Sequence, residues 1–252
     1  MKVKKTKAEK RVSQPAMRIA EPSHAILEVR IQNAPGSTLI MESKLGTEAL
    51  KNKQGTSMDP TVKAGMLAQR PGGKLTVKSI PRTDAVLLEE AEHCIYYEAG
   101  KKNSFGLPAS GFKKSMIELA KNKANEGIDG AHIRRNIWIL ADCKTKYGQD
   151  LVRIKCPTPH PQRDMGINSG MTGAPRVISR AEVDTWQAQL RVKFNRNAFT
   201  PEEVLNIILM CGSEDGFGGK RIGKCYGHGG YSVASEPKPR ITNLKFKKLT
   251  IL

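Results

Sequence analysis

Nine consecutive residues, Trp186 to Phe194, alternate without a break between apolar and polar side chains. Trp186, Ala188, Leu190, Val192 and Phe194 fall on one side. Gln187, Gln189, Arg191 and Lys193 fall on the other. A period of two over this length specifies a β-strand with one face against a core. It also pins the register, because a slip of one residue would turn every apolar side chain to solvent. The chain must therefore build a sheet with one buried face and one polar, cationic face.

A second strand is predicted over Ile26–Ile31, which alternates after its first residue and is closed by Asn33-Ala34-Pro35-Gly36. From there to Pro81 the glycines and prolines (Gly46, Gly55, Pro60, Gly65, Pro71-Gly72-Gly73) predict an extended insertion with short strands at most, one near Lys74–Ile80. A short helix is expected over Thr83–Cys94, with Thr83 as its cap. A stronger helix is expected over Phe112–Lys121, with Phe112, Met116, Leu119 and Ala120 on one face and Ser110 as N-cap. Strands follow over Asn136–Leu140 and Leu151–Lys155. The stretch Cys156–Ser179 carries four prolines and three glycines and reads as a long loop holding Arg163 and Arg176.

Thr200-Pro201-Glu202-Glu203 combines a capping residue, a proline at the first helical position and a capping-box glutamate. The helix it starts is expected to end at Gly212. A glycine-rich segment, 216–230, leads into a last strand over 230–234. Trp138, Trp186 and Phe194 read as core residues; Tyr96, Tyr97, Tyr226 and Tyr231 read as residues on which a base could stack.

The confident elements run strand, helix, strand, strand, helix, strand. This is the order of an α+β, ferredoxin-like (RRM-like) β-α-β-β-α-β core. It predicts one domain over 25–236 with insertions at 33–107 and 143–184, a basic tail at 1–24 and a basic extension at 237–252. Both helices would cover one sheet face and leave the other for a ligand.

Charge points to the ligand class. Lys and Arg total 42 against 24 Asp and Glu, a formal charge of +18. Such a chain attracts polyanions. Lys2–Arg11, with six cations and one glutamate, can grip phosphates as a flexible arm. No apolar run follows the basic start, and none approaches the ~20 residues of a spanning helix, so neither export nor a membrane partner is expected. Five cysteines at irregular spacing fit a reducing, cytoplasmic setting rather than a disulfide framework. Cys211, Cys225 and His228 match no standard zinc spacing, so no metal is expected.

Within 216–230, the glycines would let backbone N–H groups approach phosphate, with Lys220, Arg221 and Lys224 beside them. The Walker spacing is absent, so no nucleotide cofactor is expected. The candidate nucleic-acid-binding residues are Lys113, Lys114, Arg134, Arg135, Arg163, Arg176, Arg191, Lys193, Gly218, Gly219, Lys220, Arg221, Lys224, Tyr226, His228 and Tyr231. Glu89-Glu90, Glu92-His93 and His160 form no recognisable catalytic pair, so the chain is expected to bind rather than cleave.

Two segments resemble the RAMP superfamily, which includes backbone subunits of CRISPR effector complexes. Leu107-Pro108-Ala109-Ser110-Gly111-Phe112-Lys113 is similar to its proline-led basic helix motif. Gly218-Gly219-Lys220-Arg221 with Gly227–Val233 is similar to its C-terminal glycine-rich loop. The stretch from Glu89 to Val233 also resembles a group of uncharacterised bacteriophage proteins, with Gly219-Lys220-Arg221 where that group often carries a Trp-Arg-Pro run. The resemblance covers just over half the chain through short motifs. It implies an RNA-binding subunit that self-associates; with the charge and the lack of a catalytic pair, the expected function is non-catalytic binding of single-stranded RNA, or of single-stranded DNA. For a phage-encoded protein it implies the host cytoplasm. Some RAMP relatives cleave RNA with a loop aspartate or a histidine; Asp164 lies in such a stretch but has no second catalytic group spaced near it. The alternative is a phage structural or assembly protein whose oligomers form without nucleic acid and ignore charge reversal at Arg191 and Lys193.

Overall fold

A computed structural model describes residues 23–53, 83–123, 129–167, 175–219 and 227–244. The basic arm and the strand expected near 74–80 lie outside these residues. In chain order the elements begin with β1 (His24–Asn33), β2 (Leu39–Met41), α1 (Lys44–Lys53), α2 (Asp84–His93), β3 (Phe105–Pro108) and α3 (Ala109–Asn122). Then come α4 (Gly130–Asn136), β4 (Ile137–Leu140), β5 (Cys143–Lys144), β6 (Asp150–Lys155), β7 (His160–Ile167) and β8 (Pro175–Val183). The chain continues through β9 (Gln187–Asn195), α5 (Pro201–Met210), one π-helical turn (Cys211–Asp215), β10 (Tyr231–Val233) and β11 (Arg240–Leu244).

The described chain is a mixed α/β structure whose strand pairings are all antiparallel. β1 and β9 form the centre of the main sheet, paired along nine residues from His24↔Asn195 to Gln32↔Gln187. The outer side of β1 is shared: β10 pairs with residues 31–33 and β11 with residues 24–28. The outer side of β9 is shared too, by β6 at residues 187–188 and β4 at residues 191–194. β10, β1, β9 and β4 therefore lie side by side.

The alternation read at 186–194 holds in full. Ala25, Leu27, Val29 and Ile31 of β1 face Phe194, Val192, Leu190 and Ala188 of β9, and all eight are buried. Phe112, Met116, Leu119 and Ala120 of α3 and Val204, Ile207 and Ile208 of α5 join the same core. Both helices thus sit over one face of the sheet. Burying side chains of this size is worth about 1.5–3 kcal/mol each, which fixes the face that turns inward.

α5 starts as its sequence dictates. The Thr200 side chain accepts from the Glu203 N–H, and Glu203 accepts from the Thr200 N–H, with Pro201 behind the cap. α2 likewise starts from Thr83, which accepts from Val86 N–H. The stretch before Pro81, expected to hold short strands at most, carries the helix α1, and three further expectations are corrected. α3 begins at Ala109 with Pro108 in the cap position, so Ser110 lies inside the helix. Lys113 and Lys114 accordingly occupy the second turn, where an opposing dipole is weak. Gly212 does not stop α5; the chain runs on to Asp215 and turns at Gly216, whose φ is 69°. Gly212 instead admits a close neighbour: a Cβ there would lie 2.1 Å from the Tyr231 carbonyl oxygen.

The third correction concerns 156–179, which is no long loop. β7 and β8 form a hairpin, and β8 pairs on its other side with β2 to make a second, three-stranded sheet. Asp164 therefore lies on a strand. The prolines that suggested a loop occupy tolerated places. Pro161 is on β7, an outer strand, and Pro175 is the first residue of β8. Leu39, Met41, Ala181 and Val183 of this sheet belong to the same core as the main sheet.

Candidate nucleic-acid interface

The second face of the main sheet is polar, and the pairing arranges it in rows. At one end stand Thr242, Ile26, Lys193 and Trp138. The next row holds Arg240, Glu28, Arg191 and Leu140. Arg30 lies opposite Gln189. The far row holds Ser232, Gln32, Gln187 and Lys155. Six residues of β9 separate the outer rows, about 20 Å at strand rise.

Trp138 is the unexpected member. It was predicted to be a core residue, but its partner across the ladder is Lys193, which puts it on the polar face, half-buried. The Lys193 ammonium lies 5.5 Å from the indole centroid and that of Lys113 5.7 Å. The His24 ring is tilted against the same indole at 5.5 Å. Arg134 is close enough to Lys113 to act on it: partial burial, and then the Arg134 charge, lower the Lys113 pKa. Burial and then Lys193 lower the His24 pKa in the same way. The structure thus brings Lys113 and Lys193, far apart in sequence, over one aromatic ring, with Arg134 near Lys113. None of the three has a carboxylate partner among the described residues.

The other predicted residues divide. Arg191 stands on the polar face, but its guanidinium donates to the Ala141 carbonyl and to Asp142, each at 2.9 Å. Lys114 and Arg135 are exposed on α3 and α4. Arg135 and Arg134 lie in the last turn of α4, where the helix dipole favours cations. Arg163 belongs to the second sheet and is paired with Asp84 at 2.9 Å. Arg176 is on β8, its side chain outside the described residues, as are Lys220, Arg221, Lys224 and Tyr226.

Tyr231 is a correction. It is 3% exposed, edge-on to both Trp186 and Phe112, and cannot offer a face to a base. Burial holds its hydroxyl well above the ordinary tyrosine range. The glycine N–H groups are also differently used. Gly219 donates to Ile40, Gly229 to Thr38 and Gly216 to Cys211, while Gly230 donates to the Ser37 hydroxyl. Gly218, at φ 89°, brings the backbone so close that a Cβ would meet the Ile40 carbonyl oxygen at 2.5 Å. Gly219, Gly229 and Gly230 stitch the segment to β2 and its flanking turn, and Gly216 closes the π-helical turn, so these N–H groups are not offered to solvent. His228 belongs to the same seam: its Nδ1 lies 2.7 Å from the Thr38 hydroxyl, which donates to Glu182 at 2.5 Å.

Sequence reasoning missed Trp138, Arg30, Lys155 and Arg240 as face residues. Lys155 follows an alternation that was visible; Trp138 lies in Ile-Trp-Ile-Leu, where all four side chains are apolar and none signals which way it turns. Among the described residues no helix is long and apolar enough to cross a membrane.

No family model and no curated protein matches the chain. Among solved structures it is similar to a chain of the "Cryo-EM structure of the Type III-B Cmr-beta bound to cognate target RNA", at 12% identity and a TM-score of 0.42. The match covers 88% of this chain and 61% of that one, so the chain spans about three fifths of the solved chain's length.

Proposed function

We propose that the protein binds single-stranded nucleic acid, RNA in preference to DNA, on the polar face of its main sheet and without catalysis. The observation that carries this reading is the cationic corner around Trp138. Two ammonium groups lie over one indole and a third cation, Arg134, acts on one of them, and none of the three has a carboxylate partner among the described residues. Such crowding is unfavourable by itself and is relieved by a bound phosphate. The half-buried indole beside them supplies a surface on which a base can stack.

The sheet supports the same reading. The path β1, α3, β4, β9, α5, β10 follows the strand-helix-strand-strand-helix-strand order, with both helices on the apolar face. We read it as a ferredoxin-like core with an RRM-like use of its second face, enlarged by insertions that include the second sheet. The basic segments outside the described residues add non-specific attraction for the strand.

The test is binding of fluorescent single-stranded RNA, single-stranded DNA and duplex RNA at 50 mM salt, with analysis of nucleic acid that co-purifies. RNA should bind most tightly and be removed from the purified protein by ribonuclease. Absence of binding to any single strand would overturn the proposal. Oligomers that form without nucleic acid, and are unaffected by charge reversal at Arg191 and Lys193, would favour an assembly role instead.

A further inference from the structure

At the end of the polar face opposite Trp138, where β1 ends and β9 begins, the structure contains a cleft of about 440 Å³. Its lining includes Gln32 and Gln187, which are partners across the ladder, Lys155, which is the partner of Gln187 on the other side, and Thr185. Trp186, 1% exposed, also borders it. The volume falls within the range of small-ligand sites, in a cleft that is open to solvent.

The frame of the cleft is hydrogen-bonded. Asn33 N–H donates to the Trp186 carbonyl and Trp186 N–H to the Asn33 side-chain oxygen, so the end of β1 and the start of β9 are locked together. The Asn33 amide also donates to the Ser37 and Asp184 carbonyls. The side chains of Gln32, Gln187 and Lys155, by contrast, have no hydrogen bond or ion pair among the described residues. Two uncommitted carboxamides and one uncommitted ammonium therefore converge on one concave space. A carboxamide presents a donor beside an acceptor, the pattern that pairs with the N6 and N7 edge of adenine. An ammonium beside it suits the phosphate of the same nucleotide.

We infer that this cleft holds one unstacked base of the bound strand, adenine by preference, read by Gln32 and Gln187 with Lys155 on its phosphate. The inference rests on the nucleic-acid reading and adds a sequence preference to it. The charged corner supplies attraction that ignores sequence; the amide row supplies the discrimination.

Anisotropy titrations of labelled A, C and U decamers at two salt concentrations test it, with the wild-type chain and the Gln32→Leu/Gln187→Leu variant. Both positions lie on the polar face, so the substitutions leave the core untouched. The wild type should prefer the A decamer by at least about tenfold. The variant should bind all three decamers within about twofold of one another and keep the wild-type salt dependence. Equal wild-type affinity for all three, or an A preference that survives in the variant, would overturn the inference while leaving the proposed function standing. Failure of every decamer to bind would remove both.

Discussion

Removing the charges around Trp138 should change how binding depends on salt before it changes anything else. Each phosphate neutralised on a single strand contributes about 0.7 to the slope of log affinity against log salt. In the variant Lys113→Gln/Arg134→Gln/Lys193→Gln three contacts are lost, so the slope should flatten by about 2. Between 50 and 200 mM salt, that difference makes the advantage of the wild type shrink by about fifteenfold. The fold should survive. Each cation over the indole is worth about 0.5–1 kcal/mol, and removing the set also relieves repulsion between like charges. The control is Lys114→Gln/Arg135→Gln, which removes neighbouring charges from the same two helices, where both side chains are exposed. Anisotropy with a 20-nucleotide RNA across the salt range gives both slopes. If the control flattens the slope as much as the triple variant, the corner is no binding site and attraction is spread over the whole surface.

Other consequences concern the framework. A Cβ at Gly229 would lie 1.8 Å from the Phe217 carbonyl oxygen at a φ of 74°, whereas Gly100, at φ 76°, has open space. Gly229→Ala should therefore lower the melting temperature well beyond Gly100→Ala, which carries only the ~1 kcal/mol conformational term; equal shifts would refute the packing argument. Thr200→Ala removes one half of the capping box and should cost about 1 kcal/mol in urea denaturation, with no change in RNA affinity. Glu98 accepts from Lys101, Ser104 and Arg153, which together hold its pKa at about 2. Because that value lies below the ordinary carboxylate range, the stabilisation is present above pH ~4.5 and lost as pH falls through about 2. Thermal melts of Glu98→Gln should lose the part of the acid sensitivity that falls in this window; an unchanged acid profile would show that Glu98 contributes nothing.

The parts of this fold that could be read in advance are those where one residue pattern admits one arrangement. Trp186–Phe194 has a single way to bury its apolar side, and Thr200-Pro201-Glu202-Glu203 has a single way to satisfy the first N–H groups of a helix. The parts that could not be read depend on partners distant in sequence. Pro161 breaks a strand unless the strand lies at an edge, and only β8 reveals that β7 does. Tyr231, set among glycines, looked exposed until Gly212 and Phe112 closed around it. Trp138 turned outward because β4 pairs with β9 in the register that opposes it to Lys193. The candidate site was legible as a kind of surface, through Arg191 and Lys193, but not as a place. Its anchor is the meeting of α3, α4 and β4, and no local pattern announces that meeting.

The shared flanks of the two central strands bear on how the molecule resists pairing with other copies. β1 and β9 are each covered on the outside by two short segments, of three and five residues on one side and of two and four paired residues on the other. One segment can detach while its companion still shields the rest. Loss of any one segment would bare between two and five paired positions of the central strand beneath it. The two longest strands of the sheet thus keep their backbone groups away from other copies, and only short segments are left at the border.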